Sequence, residues 1–261
     1  WIMGSNRKIP IRFEATRESA VLDEGPGKHR IGLLALSNDY VTERDFMNMR
    51  PSDDVVIYVS RVPNTSQCNV ETLYKMASHI TDATSLIVPG GRLDAVAYAC
   101  TSGTAFMGYD KVRSLIQAAR PGIACSTPIT SSMEALDRIG AQRIAVLTPY
   151  IDEVNVGIAD YIQANGKTIT GFTSFKLAEN EDMARISLDS IFRAALEADR
   201  EDAEALFISC TAIRAVDVIE RIEQKIDKPV ITAVQAMFWQ SLRLSGYKGA
   251  VSGYGRLLEI P

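Results

Sequence analysis

The chain has little of what many catalytic and scaffold proteins depend on. Only two histidines, His29 and His79, occur in 261 residues, which leaves scant material for imidazole-based acid–base or metal chemistry. Four cysteines, at positions 68, 100, 125 and 210, are too few for a disulfide scaffold and too widely spaced for a C-x-x-C zinc site. Basic residues are not in excess. The 28 Lys and Arg face 32 Asp and Glu, a formal charge of −4, so no nucleic-acid footprint is expected. No apolar run approaches the roughly 18 residues that suggest a membrane span. No apolar signal core stands at the N-terminus either. Residues 1–5 read as a cloning remnant, and residues 6–29, charged and broken by Gly25-Pro26-Gly27, as a lead-in. A cytoplasmic setting with reduced thiols is the expectation.

What is present is a chain 46% hydrophobic and 23% charged, long enough for one large α/β domain or two small ones. A dinucleotide fingerprint is missing, because Gly25-x-Gly27 precedes the first apolar strand and Gly253-Tyr254-Gly255 has no room for a βαβ unit after it. Gly90-Gly91 reads as a turn, and the acidic stretches 179–182 and 199–204 read as solvated faces.

The chain does repeat itself. Arg30-Ile31-Gly32-Leu33-Leu34-Ala35-Leu36 returns as Arg143-Ile144-Ala145-Val146-Leu147-Thr148-Pro149. Asp94-Ala95-Val96-Ala97-Tyr98-Ala99-Cys100-Thr101 returns as Glu204-Ala205-Leu206-Phe207-Ile208-Ser209-Cys210-Thr211. Cys100 lies 70 positions after Arg30, and Cys210 lies 67 after Arg143. Each Cys-Thr is expected to lead into a helix, then a short strand (122–125, 229–232) and another helix (132–139, 234–244). Further strands are predicted at 55–59 and 168–175, and helices at 70–81, 112–119, 151–164 and 186–198. Gly140 and Gly166 suit helix C-caps, and Ser131-x-x-Glu134 has capping-box spacing. The reading is an α/β fold of two similar parallel-sheet halves, 30–140 and 141–261, related by a pseudo-twofold axis with the active site in the cleft between them.

In such sheets ligands bind beyond the carboxyl ends of the strands, where Cys100 and Cys210 fall, one from each half. A lone cysteine there is usually a small buried hydrophobe. Two at matching places in repeated halves point instead to paired thiols. Each is expected at a helix start, where the dipole lowers a thiol's pKa toward thiolate. One thiolate could attack a substrate carbon or take its proton, and the other could return a proton from the opposite face, with no metal and no organic cofactor. Thr101, Ser102 and Thr211 offer hydroxyls and amides for an anion. Cys68, in a polar loop, and Cys125, without a counterpart, read as ordinary. His79 reads as structural on a helix face, and His29 as a solvated surface residue.

These paired Cys-Thr motifs resemble the aspartate/glutamate racemase superfamily. Thr148-Pro149-Tyr150 and the second half are similar to the branch holding maleate cis-trans isomerase and arylmalonate decarboxylase. Thr42-Glu43-Arg44-Asp45-Phe46, Ala184-Arg185-Ile186-Ser187, Phe207-Ile208-Ser209-Cys210-Thr211-Ala212 and Gln235-Ala236 with Trp239 resemble the ectoine-utilisation protein A group. The resemblance spans about residues 30–256. It implies that Cys100 is the nucleophile, Cys210 the proton donor, and that Tyr150 and Asn180 hydrogen-bond a substrate carboxylate. The isomerase's other asparagine aligns with Asp39, while Asn38 lies one residue earlier. An anionic Asp39 would repel a carboxylate, so a simple diacid substrate is in question. Racemisation, cis-trans isomerisation and decarboxylation all fit this plan. The presence of both cysteines favours an isomerase or racemase on a small carboxylate, placed by the resemblance in ectoine breakdown. Beyond catalysis, the competing readings are a carboxylate binder and a dithiol redox sensor. A homo-oligomer, dimer or tetramer, is also expected.

Overall fold

The computed structural model describes residues 11–261; the expected cloning remnant and the start of the lead-in lie outside the described residues. Two four-stranded parallel sheets share one strand order. In the first, β1 (His29–Leu36), β2 (Val55–Val62), β3 (Ala95–Tyr98) and β4 (Ala124–Ser126) run β2-β1-β3-β4. In the second, β5 (Arg143–Tyr150), β6 (Thr168–Leu177), β7 (Ala205–Ile208) and β8 (Val230–Thr232) run β6-β5-β7-β8. The repeated sequences pair in matching ways: Ile31 to Leu34 lie beside Ala95 to Tyr98, and Ile144 to Leu147 beside Ala205 to Ile208. The expected two-half α/β architecture is present. Both central strands β3 and β7 are fully buried, as strands covered by helices on two faces must be.

The order reverses between β1 and β3 and again between β5 and β7. Chains leave these neighbouring strands toward opposite faces, so a crevice opens at their carboxyl ends. The two crevices face each other, because α6 (Pro128–Arg138) and α11 (Ala233–Leu244), each following the last strand of its sheet, pack together across the pseudo-twofold. Ser126 and Ser241 exchange a hydroxyl hydrogen bond of 2.8 Å at this junction. Nearby, Phe46 on α1 (Thr42–Met49) meets Phe238 edge to face at 4.9 Å, a contact worth about 0.5–1.5 kcal/mol beyond its burial.

Several local expectations are corrected. The predicted helix 70–81 is two, α2 (Val70–Lys75) and α3 (Ala77–Ser85), because the chain turns at Met76 to bury that side chain beneath the Tyr98 hydroxyl. Ser131 caps nothing. α6 starts earlier, with Pro128 in its first turn, where the missing N–H is harmless. The Ser131 hydroxyl instead donates to Gln240 Oε1 at 2.5 Å, and Gln240 donates to Glu134, so the apparent capping box is a contact between α6 and α11. His29 is not a free surface residue, since it opens β1, contacts the Ser245 carbonyl through Nδ1 at 2.7 Å and sits edge-on to Tyr247. His79 does lie on α3, on its exposed side.

Candidate active site

Cys100 lies two residues beyond the end of β3 and is the N-cap of α4 (Thr101–Met107). Its extended backbone turns the sulfur back toward the helix, where Sγ accepts the Gly103 N–H at 3.2 Å. Gly103 is required by that closeness, because a Cβ there would stand 2.8 Å from the Cys100 sulfur. Cys210 follows β7 at the matching place, but the expected helix does not follow it. The next residues bend through a short 3₁₀ turn, Ala215–Val218, before α10 (Ile219–Ile226) begins. Cys210 has φ of +97°, a conformation that costs a non-glycine residue roughly 1–3 kcal/mol and concentrates at functional sites. The turn brings the Ala212 N–H to the Cys210 sulfur at 3.2 Å.

Cys100 and Cys210 line one narrow cavity together with Asn38, Asp39, Thr101, Ser102, Tyr150, Asn180 and Thr211. The structure thus brings the residues singled out in the sequence to one cavity wall. Tyr150 ends β5 and is buried. Its carbonyl accepts from Asn155 Nδ2 at 2.9 Å and from the Ser174 hydroxyl at 2.5 Å, and it lines the cavity with Cys210. Thr211 crosses to the first half, its hydroxyl donating to the Ala99 carbonyl at 3.2 Å. Thr101 Oγ1 is buried with no hydrogen-bond partner. A buried hydroxyl left unpaired inside a cavity is a vacant contact for a ligand oxygen.

The expectation of lowered thiol pKa values is overturned. Burial pushes Cys100 up to about 12, against the opposing effects of the Gly103 N–H and the Ser102 and Tyr98 hydroxyls. Cys210 is also pushed up, mainly by burial, despite the Tyr150 hydroxyl and the Ala212 N–H. Desolvation of a thiolate outweighs a single N–H and a short helix's dipole. Both sulfurs therefore rest as thiols.

Cys68 lies in a loop, as expected, but it also reaches the cavity. It is buried in the cavity wall, with its sulfur 3.7 Å from the Ser102 hydroxyl, which in turn lies 4.0 Å from the Cys100 sulfur. A cross-chain latch puts it there. The Cys68 N–H donates to the Ala178 carbonyl at 2.9 Å, the Asn180 N–H to Ser66 at 3.0 Å, and Gln67 pairs with Glu179 as an antiparallel bridge. The Asn180 side chain is spent on this latch, donating to the Thr65 and Ser66 carbonyls, and Asn38 donates to Thr65 at 2.7 Å while accepting from Asn64 at 3.1 Å. Asn64, Gln67, Leu73 and Ala212 complete the wall. Nothing in the local sequence signals this latch, since its partners are more than 100 residues apart. Asp39 Oδ1 accepts the Val41 and Thr42 N–H groups at 2.7 and 2.8 Å, which anchors the start of α1. Cys125 lies outside this cavity, under the Tyr109 side chain.

Among solved structures, the fold matches maleate isomerase of Pseudomonas putida with a TM-score of 0.81 at 21% identity, covering 88% of this chain and 98% of that one. It matches Nocardia farcinica maleate cis-trans isomerase, in a variant holding a covalently bound succinylcysteine intermediate, with TM-score 0.81 at 22% identity, 88% and 98% of the two chains. In sequence, arylmalonate decarboxylase of Bordetella bronchiseptica is 30% identical over 53% of this chain and 59% of its own length, so that match spans little more than half of the relative. Maleate isomerase of Alcaligenes faecalis is 22% identical over 88% of this chain and 96% of its own. The family model described as arylmalonate decarboxylase matches residues 69–258, a span that takes in both Cys-Thr motifs and Tyr150, and the chain belongs to that family.

Proposed function

We propose that this protein is an isomerase or racemase that acts on a small carboxylate with Cys100 and Cys210 as its reacting groups. The observation that carries the reading is the placement of two buried thiols, from equivalent strand ends of two halves, in one cavity. The relatives bearing the names maleate isomerase and arylmalonate decarboxylase support the same type of chemistry.

In racemisation, one sulfur enters turnover as thiolate and takes the α-proton, becoming a thiol. The opposite thiol gives its proton to the other face of the carbanion and is left as thiolate. In cis-trans isomerisation, the Cys100 sulfur enters as thiolate, its proton lost to solvent, and bonds to one alkene carbon while the π electrons take the Cys210 thiol proton at the carbon beside the carboxylate. After rotation about the resulting single bond, the Cys210 thiolate takes that proton back, the double bond re-forms and the carbon–sulfur bond breaks. Either route builds negative charge next to the carboxylate, where the Thr101 and Ser102 hydroxyls and Tyr150 can stabilise it. Decarboxylation needs one proton donor, and Cys210 alone would suffice for it. A second sulfur facing the same cavity favours the two-thiol routes. A role in ectoine breakdown belongs to this proposal and rests on the motifs alone.

Proton NMR of the protein with small carboxylates in deuterated water tests the reading. Exchange of an α-proton or interconversion of alkene isomers is expected. Loss of carbon dioxide as the only change would establish the decarboxylase instead, and unchanged ligands would establish a binder.

A further inference from the structure

Among the described residues that line the two-thiol cavity, Asp39 has the one carboxyl group, and none is Lys, Arg or His. Arg61, whose charge acts on Asp39, is already engaged. Its Nη1 donates to the Leu36 and Asp39 carbonyls, each at 3.0 Å, and its Nη2 pairs with Glu43 at 2.6 Å. The thiols of Cys68, Cys100 and Cys210 and the Tyr150 phenol are all neutral at rest, since burial raises each of them. Burial raises Asp39 as well, outweighing the Thr42 hydroxyl, the Thr42 and Val41 N–H groups and Arg61, which act the other way. A cavity wall with one carboxyl and no basic side chain suits a ligand that brings a positive charge, because a cation placed against Asp39 offsets the burial that disfavours its carboxylate.

The other end of the ligand is set by different groups. Thr101 is 1% exposed and its Oγ1 has no partner, while Ser102, Tyr150 and Thr211 supply further neutral polar groups on the same wall. Neutral donors can hold one carboxylate. They do not compensate a second one brought against Asp39, where two carboxyl groups would share a desolvated space and could not both ionise. We propose that Asp39 is a specificity residue that takes a substrate's ammonium group, so that the substrate is a small aminocarboxylate and not a dicarboxylate. This rests on the small-carboxylate reading above and names its substrate class.

Calorimetric titration of the whole protein with three four-carbon acids tests it: 2-aminobutyrate, 4-aminobutyrate and succinate. At least one amino acid is expected to bind about tenfold or more tighter than succinate, and the better isomer shows where the ammonium sits. Asp39→Asn retains the oxygen that accepts the Val41 and Thr42 N–H groups, so it keeps the α1 anchor, and thermal unfolding checks that it is folded. In this variant the preference is expected to shrink or reverse. Succinate binding as tightly as both amino acids, no binding by either amino acid, or an unchanged preference in Asp39→Asn would each overturn the assignment. Binding does not require the thiols to react, so this outcome is separate from that of the NMR test.

Discussion

At the scale of single residues, the site is governed by what burial does to sulfur. Holding Cys100 near 12 in place of an ordinary value near 9 disfavours its thiolate by about 4 kcal/mol. A reaction that needs one thiolate should therefore keep accelerating as pH rises beyond 9, where an exposed thiol would already have ionised; kcat/KM measured up to the limit of folding checks this. The same shift has a consequence for stability. A raised folded pKa means the folded state keeps its proton while the unfolded chain releases it, so the contribution is full below about 9 and is lost as pH climbs toward 12. Unfolding midpoints should fall across that window, and less steeply in Cys100→Ala. The two cavity cysteines at equivalent strand ends were legible in the sequence because a repeat set them in matching places. Cys68 was not, since it has no counterpart in the second half and is drawn inward by backbone pairing with Ala178. The thiol pKa values were misjudged for a related reason: strand-end position is visible in sequence, whereas the depth of burial is a product of both halves closing together.

At the scale of elements, short turns position the chemistry. α4 starts immediately after Cys100, and Gly103 leaves the sulfur room beside it. Gly103→Ala should push the Cys100 side chain off its N–H contact and lower kcat about tenfold or more, with the far-ultraviolet circular dichroism unchanged. A loss of kcat no larger than twofold would show that the sulfur tolerates displacement. The strand cores and most helices were readable from apolar runs and periodicity. The segment after Cys210 was misread as a helix, because Thr211 to Arg214 adopt a bent path fixed by the Ala99 and Ile186 carbonyls, neither of which is local. Ser131 and Glu134 have the spacing of a cap, but the real start is fixed by Pro128 and the pair is occupied by Gln240 of another helix.

At the scale of the whole molecule, two sheets with one strand order bring two crevices into register, and the loop 64–69 closes over them against residues 178–180. Asn180 opens α8 (Asn180–Arg185), a position where proline keeps a helix intact while removing its N–H. Asn180→Pro should therefore weaken substrate binding more than Asn180→Ala, which loses only the side-chain bonds; KM values for the two variants check this. Equal KM values would mean the backbone latch contributes nothing to closure. The duplication was legible from Arg30 to Cys100 against Arg143 to Cys210. The latch was not, because it joins segments more than 100 residues apart and uses main-chain groups that every sequence possesses.

The central claim is that Cys100 and Cys210 act as one unit. Turnover of Cys100→Ser, Cys210→Ser and the double variant, measured on the substrate found by NMR, tests it most directly. Each single variant should lose about 10³-fold or more in kcat/KM, and the double variant should lose little beyond either, as groups serving one step do. Substantial activity in both single variants would contradict the two-thiol account.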